Sequence, residues 1–208
     1  MWRRCDGTLR VSGGFWLLLG WFLYANGWWL LLTVLAAAGL HECGHYAVLR
    51  LLGTRVVSMR VGVFGAEMKA SGALSYAGEL AAVLAGPAAN LAAGLLLAGA
   101  GEPWTAAAGA QVVLGLFNLL PVRPLDGGRA LTLAVSWALG PAAGERTAGA
   151  VSGCAAAALS CGTFWLMAKT GGSLWLLPAA VGFAASAWRE VVGKRSFCKK
   201  MLALCGPL

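Results

Sequence analysis

A succession of apolar segments with short polar connections limits what this chain can fold into more than any other feature. The hydrocarbon core of a bilayer requires about 20 apolar residues per spanning helix, and a helix satisfies its own backbone hydrogen bonds in lipid. The candidate spans are residues 11–26, 28–52, 77–100, 104–120, 147–168 and 173–188. The sequence therefore predicts an all-α polytopic membrane protein with about six transmembrane helices.

The composition agrees with this prediction. Of the 208 residues, 59% are hydrophobic and 12% are charged, whereas about a quarter of the residues of a soluble domain are charged. Few residues would remain outside the spans and their connections. We therefore expect a single integral-membrane domain over residues 1–208, with its core at residues 15–190.

The basic residues indicate how the chain is oriented. There are 16 Lys and Arg against 8 Asp and Glu, a net charge of +8. With these spans, every cation except Lys169 lies on one side of the membrane. The positive-inside rule makes that side cytoplasmic, so we expect both termini to be cytoplasmic, in a bacterial cell membrane. The excess charge thus has a topological explanation, and we do not predict nucleic-acid binding.

The second apolar segment contains the residues that indicate chemistry, the sequence His41-Glu42-Cys43-Gly44-His45. Residues four apart lie on one face of a helix, so His41 and His45 can offer two imidazoles to one metal ion, with Glu42 beside them. The chain has no other histidine, and ionisable groups at membrane depth are costly and mark function. The pattern is the HExxH arrangement of zinc hydrolases.

Asp126 is the candidate third ligand, because a catalytic zinc ion takes three protein ligands and keeps one position open. The residue follows Pro121 and Pro124, which interrupt a helix. It precedes Gly127 and Gly128, which permit a turn that aims the carboxylate inward. Read alone, this segment is equally well explained as an interfacial turn with a solvated aspartate.

A short segment between the second and third spans has a different pattern. Residues 58–75 alternate partly between apolar and polar or small side chains around Gly62 and Gly65. The alternation predicts a short interfacial hairpin or edge strand that could bind an extended substrate by strand addition. A plain interfacial loop packed on the helices explains the pattern equally well.

These motifs together resemble the site-2 protease family of intramembrane zinc metalloproteases. The resemblance rests on the HExxH segment in the second span and on Asn118, Pro121 and Leu125-Asp126-Gly127 far downstream. The segment Gly86-Pro87-Ala88-Ala89-Asn90 in the third span is also similar to the GPxxN element of that family. The resemblance therefore covers most of residues 15–190.

The resemblance implies a function and a set of site residues. His41, His45 and Asp126 would bind one zinc ion per chain, Glu42 would be the catalytic base, and Asn118 would help to hold the substrate. The substrate would be a membrane-tethered protein, cleaved in or near its transmembrane segment within the lipid bilayer. A membrane regulatory partner would fit the same resemblance.

The arrangement of spans and loops is most similar to the sporulation branch, whose protease releases a sigma factor from its membrane-tethered pro form. Only 27 residues separate Asn90 from Asn118, which leaves no room there for the PDZ insertions of another branch. The sequence ends at Leu208, shortly after the last span, where sporulation members commonly carry a CBS domain. We therefore expect neither a PDZ insertion nor a C-terminal CBS domain.

A membrane metal transporter or sensor is the alternative from another functional class. Such a protein would use the His41/His45 pair to bind an ion without hydrolysis. Transporters of the ZIP type have a similar HExxHE stretch, but Tyr46 follows His45 in this chain, which removes one carboxylate. Glu42 is not required for binding alone, so its presence favours hydrolysis.

The charge distribution predicts the location of the carboxyl terminus. A reporter that functions only in the cytoplasm should be active when it is fused after Leu208, because nearly all cations flank that side. The same reporter inserted beside Lys169 is the matched control and should be inactive. Protease cleavage of the tail from outside sealed cells would contradict the topology.

Overall fold

A computed structural model describes residues 8–62, 65–170, 177 and 180–190 of the chain. Its helices and strands are β1 (Thr8–Val11), α1 (Gly13–Leu51), β2 (Arg55–Gly62), β3 (Gly65–Ser71), α2 (Tyr76–Gly99), α3 (Thr105–Asn118), α4 (Asp126–Leu139) and α5 (Pro141–Lys169). Residues 180–190 are also helical. Both termini, and part of the sixth predicted span, lie outside the described residues.

The first two predicted spans form the single helical run α1, which is interrupted at Gly27 (φ 78°, ψ 171°). A straight helix of 39 residues would be about 58 Å long, and the chain from Leu51 to Val61 can span about 35 Å at most. The backbone N–H of Ser12 nevertheless donates to the carbonyl of Val61 at 2.9 Å. The run must therefore fold back at Gly27, where a positive φ is tolerated without a Cβ.

A three-stranded sheet in the order β1-β2-β3 connects the two ends of α1. β1 pairs parallel with β2, and β2 pairs antiparallel with β3, from Arg55 opposite Ser71 to Gly62 opposite Gly65. The segment for which the sequence left a hairpin and a plain loop open therefore contains two paired strands. Among the residues that the structure describes, β3 is an edge strand of this sheet, and it contacts α1.

Three helices of the described chain, α1, α2 and α5, are long and apolar enough to cross a membrane. They support the assignment of the chain as a membrane protein. The predicted count of six spans is not reproduced in the described residues, because α3 has 14 residues and is shorter than the roughly 20 that a bilayer requires. The predicted fifth span, residues 147–168, lies within α5, which begins at Pro141, where proline suits the first helical turn.

The prediction of a turn at Gly127 and Gly128 is wrong, because both residues lie in the first turn of α4. Their small size serves close packing instead. A Cβ on Gly127 would collide with the backbone carbonyl of Leu119, and one on Gly128 would lie 2.8 Å from the carbonyl oxygen of Val122. The glycines therefore let α4 begin directly against the segment that leads into it, which sets the position of Asp126.

The segment before α4 is also fixed by polar and apolar contacts. Val122 and Leu125 are buried with Ala156 of α5 and with Phe183. The backbone N–H of Arg123 donates to Ser152 Oγ at 2.9 Å, and its guanidinium forms an ion pair of 2.9 Å with Glu145. These contacts attach the segment to α5, so the carboxylate of Asp126 projects from a rigid support.

The close contact at Gly127 generates a stability prediction. Gly127→Ala should destabilise the protein by about 1–3 kcal/mol, because the new methyl group must displace the Leu119 backbone. Gly109→Ala is the matched control, since a Cβ at Gly109 in α3 meets no atom within 4 Å, and it should be neutral or stabilising. Thermal unfolding in detergent measures both, and equal midpoints for the two variants would contradict the packing argument.

Candidate metal centre

Two helices bring three potential ligands together at one point. His41 and His45 lie one turn apart on α1, and Asp126 is the first residue of α4. Asp126 Oδ2 lies 3.0 Å from His41 Nε2 and 3.2 Å from His45 Nε2, and the two Nε2 atoms are 3.1 Å apart. His41 is 5% exposed and Asp126 9% exposed, so the cluster is shielded from solvent.

The other nitrogen of each imidazole makes a hydrogen bond that orients the ring. His45 Nδ1 lies 2.8 Å from the backbone carbonyl oxygen of Ala82, which can only accept. His41 Nδ1 lies 2.8 Å from Asn90 Oδ1. With the proton on Nδ1 in both rings, each Nε2 lone pair is directed toward the centre of the cluster.

Glu42 lies beside the cluster and has one unpaired oxygen. Its Oε1 accepts a hydrogen bond from the backbone N–H of Ala66 in β3 at 3.4 Å. Within the described residues, its Oε2 is buried and has no hydrogen-bond partner. A buried carboxylate oxygen without a partner is costly, so this atom indicates a proton-bearing ligand or water at the site.

Two glycines allow α2 to approach the histidines closely. A Cβ on Gly86 would collide with the His45 ring and would lie 2.9 Å from His41 Nε2. A Cβ on Gly44 would lie 2.7 Å from the carbonyl oxygen of Ala85. Gly44 of the HExxH segment and Gly86 of the GPxxN element are therefore packing requirements of one contact between α1 and α2.

A cavity of about 210 Å³ lies against the cluster. Glu42, His45 and Asp126 line it, and so do residues of the edge strand β3. The residues from β3 are Ala66, Met68 and Ala70. The cavity therefore connects the potential metal ligands with the edge strand.

The donor set suits a transition-metal ion of zinc type. One atom from each of His41, His45 and Asp126 can be chosen so that all three lie within 4.8 Å of one another. In a tetrahedral site with bonds of about 2.0–2.1 Å, neighbouring ligand atoms are about 3.3–3.4 Å apart, close to the 3.0–3.2 Å found here. Two imidazoles and one carboxylate are typical of catalytic zinc sites, and the unpaired Glu42 Oε2 lies beside them.

The structure brings together some of the residues singled out in the sequence, but not all of them. It brings His41, His45 and Asp126 into one cluster with Glu42 next to it. Asn118 is the last residue of α3, and the hydrogen bond described for its amide goes to Leu114 in its own helix at 3.0 Å. Its expected contact with substrate therefore stays a prediction.

Sequence reasoning missed the residues that orient the histidines. The GPxxN element includes Asn90 without indicating its contact with His41, and none of the motifs includes Gln111. Asn90 is 0% exposed and Gln111 8% exposed, and each lies in a largely apolar helix. The signal that the sequence offers is an amide side chain within a largely apolar segment.

The chain is similar to known metalloproteases. Residues 97–161 match the family described as Peptidase family M50. Over an alignment of 141 residues, the chain is 36% identical to Rip3 of Mycobacterium tuberculosis strains Erdman and H37Rv. The name of that protein calls it a zinc metalloprotease. The alignment covers 60% of this chain and 34% of Rip3, so the chain spans about a third of the length of these curated relatives.

The fold is similar to that of the site-2 protease from Methanocaldococcus jannaschii, with a TM-score of 0.65. That likeness covers 90% of this chain and 94% of the other, at 21% sequence identity, so it concerns the fold. The Peptidase M50 match includes Asp126 and begins at residue 97, downstream of the HExxH segment. The sequence comparisons thus relate the chain to metalloproteases, and the structural comparison relates its fold to that of a site-2 protease.

The cluster generates a prediction about metal content. Purified protein should hold about one transition-metal ion per chain, and His45→Ala should lose most of it, because two remaining ligands bind poorly. Cys43→Ala is the matched control, since Cys43 lies in the same helical turn but is exposed. Elemental analysis measures the metal, and unchanged content in His45→Ala would remove the proposed site.

Proposed function

We propose that this chain belongs to the site-2 protease family and is a zinc metalloprotease that hydrolyses a peptide bond in or near a transmembrane segment of a membrane-tethered protein. The observation that carries the proposal is the convergence of the His41, His45 and Asp126 ligand atoms, with the unpaired Oε2 of Glu42 beside them. The family match, the Rip3 relative and the fold support it.

His41, His45 and Asp126 would hold the zinc ion. Two neutral imidazoles and one carboxylate leave a net positive charge at the site. Bound zinc supplies Lewis-acid chemistry, which makes a water molecule acidic near neutral pH and polarises a carbonyl group. The hydrogen bonds of both Nδ1 atoms fix the tautomer that carries its proton on Nδ1, which leaves the Nε2 lone pair for the metal ion, and they prevent the rings from rotating away.

Glu42 would act as the proton carrier. Its Oε1 is held by the Ala66 N–H of β3, which leaves Oε2 free to accept a proton from water. The same oxygen would then deliver that proton to the leaving amide nitrogen. No serine or cysteine nucleophile is required, and Cys43 between the ligands is exposed.

The edge of β3 would present the substrate. Gly62 pairs with Gly65 at the end of the two strands. Backbone N–H and C=O groups alternate in direction along an antiparallel strand, so those of Ala66, Met68 and Ala70 point away from β2. The Ala66 N–H that donates to Glu42 agrees with this direction. An unwound substrate segment could add to this edge as a further strand, and its peptide bond would then lie against the cavity.

The proposal extends to the identity of the substrate. The resemblance of the loops and motifs to the sporulation branch favours a pro-sigma factor. Cytoplasmic termini, a bacterial membrane and a regulatory membrane partner belong to the same part of the proposal. Asn118 would help to hold the substrate, at the end of α3. The transporter alternative is not favoured, since a binding site for a permeating ion does not require Glu42.

The mechanism predicts a separation of metal binding from cleavage. Glu42→Gln should keep the metal and the fold, because Glu42 is not among the clustered ligand atoms. Loss of general-base assistance costs about 10²–10⁴-fold, and loss of the proton donor adds to it, so cleavage should fall by about 10⁴-fold or more. Co-expression with a tethered substrate measures cleavage, and elemental analysis measures the metal.

Two further variants make that result specific. Asp126→Asn should lose metal and cleavage together, because it keeps the shape of the side chain but weakens a charged ligand. Glu102→Gln should leave both unchanged, since Glu102 lies exposed in the α2–α3 connection. Cleavage by Glu42→Gln at a near-native rate would rule out the protease mechanism.

A further inference from the structure

Gln111 is a buried polar residue that the mechanism above does not use. It lies in α3, whose other residues are mostly apolar or small, and it is 8% exposed. An apolar side chain would suit this buried position in a largely apolar helix better, because burying an amide costs free energy unless it is hydrogen-bonded. The buried amide of Gln111 therefore calls for a functional explanation.

We infer that Gln111 is a positioning residue for the metal centre: it fixes the orientation of the Asn90 amide, which in turn holds the His41 imidazole in the form that can bind metal. The inference rests on the proposed function. It assigns a role to α3, which contributes none of the clustered ligand atoms.

The hydrogen bonds form a continuous chain from α3 to α1. Gln111 Oε1 accepts from Asn90 Nδ2 at 2.6 Å, and the same Nδ2 donates to the carbonyl oxygen of Ala37 at 3.1 Å. Asn90 Oδ1 then lies 2.8 Å from His41 Nδ1. Asn90 is fully buried, so no solvent competes for its amide.

The Ala37 carbonyl fixes the direction of every hydrogen bond in this chain. A main-chain carbonyl can only accept, so the nitrogen end of the Asn90 amide must face it. That nitrogen also faces Gln111, which must therefore present its oxygen rather than its NH₂ group. The oxygen of Asn90 is left to accept the Nδ1 proton of His41, and His41 Nε2 keeps its lone pair for a metal ion.

A comparison of the two histidines shows why a further residue is needed. His45 Nδ1 donates to the Ala82 backbone carbonyl, which cannot exchange a donor for an acceptor. His41 depends on a side-chain amide, and the flipped amide would place NH₂ against Nδ1. The proton would then move to Nε2, where it would block the ligand. Gln111 adds a second acceptor beside the Ala37 carbonyl, so a flip of the Asn90 amide would oppose its oxygen to Ala37 and would require Gln111 to turn its own amide as well.

The experiment measures zinc affinity of the full-length chain in detergent by competition with a chromogenic chelator. Gln111→Met removes the acceptor with little change in size, and the dissociation constant should rise about 10–100-fold, as for other residues that orient metal ligands. Gln111→Glu restores an acceptor oxygen and should bind zinc within a few-fold of the native chain. Val113→Met places the same side chain at an exposed position of α3 and should have no effect.

A double-variant cycle and a spectroscopic signal distinguish positioning from general destabilisation. Asn90→Ala with Gln111→Met should bind zinc no more weakly than Asn90→Ala alone, because Gln111 acts through Asn90. Only two histidines are present, so ¹⁵N-histidine labelling of the zinc-loaded protein gives two Nδ1–H signals. Gln111→Met should shift one signal and speed its exchange with water, and it should leave the other unchanged.

The outcomes separate this inference from the proposed function. Native zinc affinity in Gln111→Met, additive losses in the double variant, or equal shifts of both histidine signals would each overturn the role of Gln111. Gln111→Asn draws the oxygen away from Asn90 while keeping a buried amide, so it provides the same test if Gln111→Met does not fold. Failure of the native chain itself to hold zinc would overturn the proposed function instead.

Discussion

The contact of the Asp126 carboxylate with the His41 and His45 imidazoles is the interaction on which the rest of the structure depends. Ionisable groups inside an apolar helical protein are costly unless they are paired or bind a metal ion. The cluster lies where α1 and α4 meet, with the Oδ2–Nε2 contacts at 3.0 and 3.2 Å. Every helix around it must therefore come close enough to complete the polar contacts.

Glycines at three positions make that approach physically feasible. Gly44 lets α1 meet α2, Gly86 leaves room for both imidazole rings, and Gly127 lets α4 start against the segment before it. A β-carbon at any of these positions would enter space occupied by backbone or by a histidine. The motifs around these glycines are thus requirements of helix packing as much as of chemistry.

The site places a rigid polar centre beside the edge strand β3. The Ala82 carbonyl and Asn90 bind the Nδ1 atoms of the two histidines. Glu42 accepts a hydrogen bond from the N–H of Ala66 in β3. In the proposed function, a transmembrane substrate has to expose an extended backbone before its peptide bond can react, since helical carbonyls are internally hydrogen-bonded. An edge strand beside the proposed base offers that backbone a partner, which links substrate presentation with chemistry.

The sequence by itself determined the chemical groups and the general architecture. The spacing of His41, Glu42 and His45 depends only on the pitch of one helix, and the apolar segments follow from what a bilayer permits. The downstream motif also singled out Asp126 as the candidate third ligand. What local patterns could not supply was the helix α4, because paired glycines more often mark turns than helices.

Only the tertiary structure decided which residues meet and what each one does. Asn90 and Gln111 are 21 residues apart, and Asn90 lies 49 residues from His41, so no local pattern relates them. The close contact at Gly127 and the free direction of the β3 edge likewise depend on neighbours distant in sequence. Spacing along a helix is a local property, whereas hydrogen bonds between helices exist only once packing has set their distance and orientation.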